Sequence, residues 1–565
     1  MKTALKNIIK YFPIALIIGT YLWSVISISI HSKNTPETDE IIIRIGHWQL
    51  EPGVREAFDK LLVEYQKIHP KVQIIQDAIP STTYGQWVST QLMGGTAPDI
   101  IQVGGGLPSP IWLSYFNRYF LRLTSNVCKP NPYNKGTELE KKPLRLTYKD
   151  GMLSGYNSEM QEYVGVPLSI ASVRICYNKD LLKKLCALKK EPADYRSFLQ
   201  CCREIKSKKD KHGKFYTPIA ASKYHFDMWD KALFEPITYS ALKKADFNRD
   251  GLLGNNEQYV AIKSGILDFN YPAYKAMFQM IREITDNFQP GYTGLQRDEA
   301  VFLFAQQKAV FMAAGTWDIK GIREQAKGKF EMGIMDFPLP AKEDPVYGRF
   351  VEGPRYERLA TGFVFGVTKE SKHPEEALDF LLFLASKRGN EKLNKIIGWI
   401  PAIIGTSPAP GLEIFEPSTE GVYGAINLYL GGETWIKWLQ LLDLYKINKL
   451  SYEELAGQFL PFYKERGYVD FIEQSKDWKR GVEKTERFIA GFRGLMLTGA
   501  PQEAKTAGIK YRKLISTLLS REISRAKLAA SIKNNIKPNK YGPYEYKPEV
   551  LEKVRKNLAK SHTEK

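Results

Sequence analysis

The sequence predicts an α/β fold built on an open, parallel sheet, with a helical carboxyl-terminal extension. Three observations carry this. Between residues 41 and 106, apolar β-type runs alternate with helical periodicity in the order strand, helix, strand, helix, strand. Further short strands, each beside a helical stretch, recur at 163–177, 215–220, 309–314 and 361–367. Beyond residue 402 the strand signals cease and only helical patterns remain.

Taken in order, Ile41 to Ile45 is an apolar run apart from Arg44 and reads as a strand buried on both faces. Val54, Ala57, Phe58, Leu61, Leu62, Tyr65 and Ile68 recur at helical spacing. Pro52 precedes that helix, and Pro70 stops it by disfavouring α geometry at His69. Val72 to Ile79 is the second strand, Trp87, Val88, Leu92 and Met93 mark the second helix, and Gly94-Gly95 ends it. Ile100 to Val103 is the third strand. In such sheets ligands sit off the carboxyl ends of the strands. Those ends carry His47-Trp48-Gln49 and Gln102 to Gly106. His47 reads as a packing or capping residue, and Gly104 to Gly106 as a loop of close approach.

An apolar strand ending in Trp48, then AFDKLLVEYQKIHPKVQI, then GGTAPDIIQV, resembles the amino-terminal lobe of the extracellular solute-binding proteins of ABC importers. More narrowly it is similar to their sugar-binding, maltose-binding-protein-like branch. Later phrases agree: Gly165 to Ser169, then Asn178-Lys179-Asp180-Leu181-Leu182, which resembles the start of the family's second lobe. Pro192 to Phe198 resembles a family helix start in which Tyr195 replaces a Trp. Gly315-Thr316-Trp317, Phe337 to Pro340, Thr361 to Val367 and Gly398-Trp399-Ile400-Pro401 also match.

The resemblance implies a periplasmic-binding-protein-like fold, two α/β lobes joined by a hinge around a ligand cleft. It divides the chain into a first lobe over 34–168, a second over 169–340 with an insertion at 240–260, and a return over 341–402. A helical part over 403–500 and a basic helical tail over 501–565 follow. It also implies capture of a carbohydrate and delivery to ABC permease subunits, outside the cytoplasm.

Sugars offer apolar C–H faces and a rim of hydroxyls, which aromatic, amide and carboxylate side chains match. The candidate ligand residues are therefore Trp48, Gln49, Tyr84, Gln102, Ser169, Trp229, Trp317, Asp318 and Trp399. For any one aromatic the competing reading is core packing. The chain has no G-x-S-x-G, H-E-x-x-H or G-x-x-x-x-G-K-[ST] pattern, so the reading is not an enzyme. Two alternatives stand beside the binding protein: a membrane-held glycan-sensing module without transport, and a glycan-processing enzyme with a carboxylate pair.

Asp246 to Glu257 (DFNRDGLLGNNE) fits the calcium loop D-x-[DN]-x-[DN]-G-x5-E at every specified position. Asp246, Asn248 and Asp250 would offer side-chain oxygens, Leu252 its carbonyl and Glu257 two oxygens, a set suited to structural Ca²⁺. The alternative is a metal-free polar turn.

Lys2, Lys6 and Lys10 precede Tyr11 to Ile30, a charge-free, mostly apolar stretch long enough to span a bilayer. It reads as an uncleaved signal anchor within 1–33, with a cleaved signal peptide as the alternative. The net charge is +19. Residues 501 to 565 hold 16 Lys or Arg against 6 Asp or Glu, about half the excess. Such a tail suits nucleic acid, anionic lipid or acidic glycan, or is simply a solvated end. Within the family reading no nucleic-acid partner is expected. Of the five Cys, Cys186 could pair with Cys201 or Cys202 in an oxidising compartment, but unbonded, buried thiols are the preferred reading.

Overall fold

The computed structural model describes residues 40–534 except 159, 248–250, 252, 360 and 425–427. The chain forms two compact units. Of the described residues, one comprises 40–50, Arg55–Leu121 and Phe365–Leu384, and the other Glu51–Val54, Arg122–Val364 and 385–534.

The first unit opens with β1 (Ile41–His47), α1 (Val54–Gln66), β2 (Val72–Ala78), α2 (Ser81–Gly94), β3 (Ile100–Val103) and α3 (Ser109–Tyr119). β1 pairs with β2 in parallel along its whole length, and with β3 in parallel at Ile45 and Gly46. The expected βαβαβ order holds, with one correction. Burial on both faces begins only at Ile45, and Ile42 is exposed, because β3 covers only the carboxyl half of β1. Ala57, Phe58, Leu61 and Tyr65 form the buried stripe of α1. Gly95 ends α2 in the left-handed region, as glycine allows at low cost.

The second unit takes residues 122–168, which the expected lobe boundaries assign to the first. Its own hydrogen bonds tie this loop-rich stretch down. Leu123 N–H donates to the Tyr163 carbonyl, Tyr148 OH to the Pro167 carbonyl and Lys149 N–H to the Ala402 carbonyl. A short hairpin joins β4 (Tyr156–Asn157) and β5 (Glu162–Tyr163), and β6 (Val166–Ile170) is buried throughout. The elements that follow are β7 (Val173–Asn178), α4 (Lys179–Leu185), α5 (Tyr195–Lys206), β8 (Thr217–Ala220), α6 (Lys223–Trp229), α7 (Tyr239–Ala245), α8 (Asn255–Lys263), α9 (Pro272–Thr285), α10 (Arg297–Ala305), β9 (Ala309–Gly315), α11 (Thr316–Ala326) and β10 (Met332–Met335). Four strands form a mixed sheet in the order β10-β7-β9-β8. Asn178 caps α4 by accepting from Leu181 N–H, and Asp194 with Ser197 forms a capping box on α5. Cys186 and Cys201 form a disulfide, which corrects the unbonded reading. Cys201 and Cys202 are neighbours on α5, so they point in different directions, and only Cys201 reaches the end of α4.

β11 (Thr361–Val367) has residues up to Val364 in the second unit and those from Phe365 in the first, and α12 (Pro374–Leu384) belongs to the first. Within that unit Tyr65 OH donates to Asp379 at 2.7 Å, and its ring meets Phe380 edge-on. In the second unit, α13 (Lys387–Ile397) places Asn390 and Asn394 so that both donate to the Leu168 carbonyl. They clamp β6 beside its antiparallel partner β12 (Ile400–Pro401).

The extension consists of α14 (Gly432–Lys446), α15 (Tyr452–Thr498) and α16 (Pro501–Asn534). Within the part over 403–500 expected to be helical, the first of these helices begins only at Gly432, directly after Gly431, whose φ of 144° lies outside helical geometry. Ser451 and Glu454 form a capping box on α15. Trp438, Phe459 and Tyr463 join the core cluster that contains Phe278 and Tyr259. The extension is thus built into the second unit's core.

Candidate functional site

The chemistry of the second unit concentrates where α10, α11 and α6 begin. β9 ends at Gly315, and a side chain there would press within 2.2 Å of the Trp317 ring. Glycine lets the indole lie back over the strand end. Trp317 is half-buried, with its indole beside the Tyr224 hydroxyl. Asp318 sits in the first turn of α11, where a carboxylate suits the helix dipole, and accepts from Gly315 N–H at 3.2 Å.

Arg297, the first residue of α10, donates through Nε to Asp318 Oδ1 at 2.9 Å and through a second nitrogen to the same oxygen. Its remaining nitrogen lies 3.5 Å from Glu51 Oε1, and its guanidinium stands 5.8 Å from the Tyr224 ring centre. Burial raises the carboxyl pKa of Asp318, with Arg297 opposing, and burial likewise raises that of Glu51. His225, fully buried, holds Ser222 Oγ at 2.8 Å from Nδ1. Burial, then the nearby Arg297 charge, lowers its pKa to about 4, so the ring is neutral at neutral pH. The result is an aromatic wall, Tyr224 and Trp317, beside polar groups whose directions are fixed by one another.

In the first unit, Trp48 follows β1. Its N–H donates to Gln102 Oε1 at 3.2 Å, and its ring meets Tyr84 edge-on at 5.0 Å. Tyr84 OH donates to the Gln102 carbonyl at 2.7 Å and also lies near the Gly46 carbonyl. Gly105 lets the loop pass the indole, since a side chain there would come within 2.9 Å of it. Tyr84 and Gln102 are therefore fully buried supports that orient Trp48, and Trp48 keeps a half-buried face. Gln49 is almost buried, and its N–H donates to His47 Nδ1. His47 is a packing residue, with Nε2 3.2 Å from Gln76 Oε1 and its ring against Phe58.

The other expected ligand residues fare differently. Trp229 needs correction: it is 0% exposed, wedged among Phe198, Phe288 and Phe337, and offers no face to a ligand. Ser169 lies inside the β6–β12 pair and is buried. Trp399 is mostly buried against Phe363, whose φ of 52° is unusual for a bulky residue. Arg297, Tyr224 and Glu51 were not singled out as ligand residues. An arginine at the first position of a helix opposes the dipole unless carboxylates compensate, and that was the available signal for Arg297.

For the calcium loop, Asn248, Asp250 and Leu252 lie outside the described residues. α7 ends at Ala245, just before Asp246, and α8 starts at Asn255. Gly251 has φ of 79°, and its N–H donates to Asp246 Oδ2 at 3.0 Å. Glu257 is buried and accepts from Gly254 N–H at 3.0 Å. Among the described residues alone no cluster of three metal-ligating side chains forms.

Residues 60–411 match the family model for bacterial extracellular solute-binding proteins. A multiple sugar-binding protein of Streptococcus mutans is 21% identical over 406 residues, covering 70% of this chain and 83% of that protein. An uncharacterised ABC-transporter extracellular-binding protein of Pyrococcus horikoshii is 20% identical over 410 residues, covering 69% and 80%. A solved structure from work on xylan utilization by Caldanaerobius polysaccharolyticus superposes with a TM-score of 0.50 at 19% identity. It covers 74% of this chain and 99% of that one, a likeness of fold. α14 to α16 lie beyond the matched segment.

Proposed function

This chain belongs to the bacterial extracellular solute-binding protein family, and from that we propose that it captures an oligosaccharide and delivers it to an ABC-type importer. The observation that carries the sugar reading is the wall of Trp317 and Tyr224 beside Asp318 and Arg297. Aromatic faces stack on the apolar faces of a pyranose, and a fixed carboxylate–guanidinium pair directs hydrogen bonds to its hydroxyls. Arg297 is already neutralised by Asp318 and Glu51, so the site favours an uncharged glycan over a uronate. The S. mutans relative, described as a multiple sugar-binding protein, agrees. We read the chain as a receptor and not as an enzyme. The test is titration with neutral oligosaccharides, with mass spectrometry of the sugar afterwards. Saturable binding with unaltered sugar supports the reading; cleaved sugar refutes it.

We also propose that Asp246 to Glu257 holds a structural Ca²⁺. Two helices flank the loop, Gly251 takes the left-handed turn required at loop position six, and Asp246 is already oriented toward that turn. The ion would tie α7 to α8 and do no chemistry. Metal analysis of the purified chain and melting with and without chelator test this. One calcium per chain and a lower Tm in chelator are expected; an unchanged Tm and no bound calcium would refute it.

Finally, we propose that Tyr11 to Ile30 holds the protein to the outer face of the cytoplasmic membrane. That stretch lies outside the described residues, and among those no helix is long and apolar enough to cross a membrane. The Cys186–Cys201 bond suits an oxidising, extracytoplasmic setting. Fractionation should place the chain with membranes, released only by detergent; release by salt would contradict an anchor.

A further inference from the structure

The carboxyl-terminal hairpin of α15 and α16 has an exposed face. α16 is fastened along one side: Ala507 and Leu514 are buried, Lys510 pairs with Glu162, and Lys513 lies over the Tyr156 ring at 4.2 Å. Another side carries Lys505, Ile509, Arg512, Ser516, Leu519 and Ile523, spaced alternately four and three residues apart. At 3.6 residues per turn these six fall within about 80° of the helix circumference. All six are exposed, and Ile509, Leu519 and Ile523 are each more than half exposed. The stripe contains no acidic residue. At the hairpin turn, Leu497 is 80% exposed and Leu495 47%.

Charge decides what could cover such a stripe. A second copy packed along it would offer Lys505 and Arg512 no carboxylate: in parallel each meets its own counterpart, and antiparallel they meet Ile523 and Ser516. A surface that is apolar below and anionic above has no such conflict. Isoleucine and leucine enter the acyl boundary, while the long stems of lysine and arginine lie alongside and lift their charges to the phosphates. We propose that this stripe of α16 rests on an anionic phospholipid surface. The inference is independent of the solute and holds whatever ligand the chain takes.

The test uses the full chain reconstituted into vesicles. Cys128→Ser removes the exposed thiol, Ser516→Cys places a new one in the stripe, and an environment-sensitive dye is attached there. Cys176 and Cys202 are buried and do not compete. In vesicles containing phosphatidylglycerol the emission shifts to the blue and is quenched by brominated acyl chains. In pure phosphatidylcholine it is not. High salt abolishes the shift, and so do Lys505→Glu with Arg512→Glu. Leu519→Ser with Ile523→Ser abolishes it through the apolar half, and circular dichroism checks that each variant stays helical. Equal emission in both lipids, a shift that survives salt and charge reversal, or dimers crosslinked through the stripe in detergent would each overturn the proposal.

Discussion

His225 shows how burial converts one side chain into a pH dependence of the fold. Its folded pKa, about 4, lies below the 6.5 of an open histidine. The unfolded chain therefore binds more protons between those values, and stability falls as pH drops from 6.5 toward 4. The gap corresponds to up to ~3 kcal/mol. Urea unfolding across that window should show the loss, and His225→Asn should flatten it. Asp318 and Glu51 act in the opposite sense: their raised pKa values favour the folded state as they protonate, in the acidic range above the ordinary carboxylate values. At this scale the sequence was only partly legible. Trp317 and Asp318 were found because the family's G-x-W turn places them. Trp229 was misassigned because an aromatic in a polar-looking segment (Tyr224, His225, Asp230) looks alike whether it faces core or solvent. Only the packing of Phe198, Phe288 and Phe337 around it decides.

At the scale of elements, periodicity was a good guide where it was strong. β1 to β3 and the helices between them fall where their apolar spacing places them, and the parallel pairing follows from their order. The misses have local causes. Gly431 delays α14, and an edge effect of β3 leaves Ile42 exposed. The choice between Cys201 and Cys202 depends on helix direction, which spacing alone does not supply. The bond joins the end of α4 to α5 across 15 residues. Reduction should cost ~3 kcal/mol by the loop-closure estimate, seen as a lower urea midpoint in reductant. Cys186→Ala with Cys201→Ala should reproduce it, whereas Cys202→Ala should act only through packing. An unchanged midpoint on reduction would mean the bond adds nothing to stability.

The whole molecule is a solute-binding chain whose helical extension shares a core with the part it follows. Trp438 meets Phe278 edge-on, and Tyr463 meets Tyr259 in the same way. A chain cut at residue 411, where the family match ends, would leave Phe278 and Tyr259 bare. It should be insoluble or bind apolar dyes, whereas a chain cut after Gly499 should keep that cover and stay soluble. A soluble, cooperatively melting 411-residue chain would show the extension to be an appendage. The extension's helical nature was legible in the sequence. Its packing was not, because its aromatic positions match surfaces far away in sequence and no local pattern announces the partner.

The most direct test of the account is calorimetric titration of the full chain and of Trp317→Ala with a panel of neutral oligosaccharides. The account predicts saturable binding of at least one glycan by the parent chain. It further predicts about tenfold or greater loss of affinity in Trp317→Ala, ~1.4 kcal/mol or more, with the melting temperature nearly unchanged. Glycan binding that Trp317→Ala leaves intact, or no binding of any neutral glycan, would contradict it.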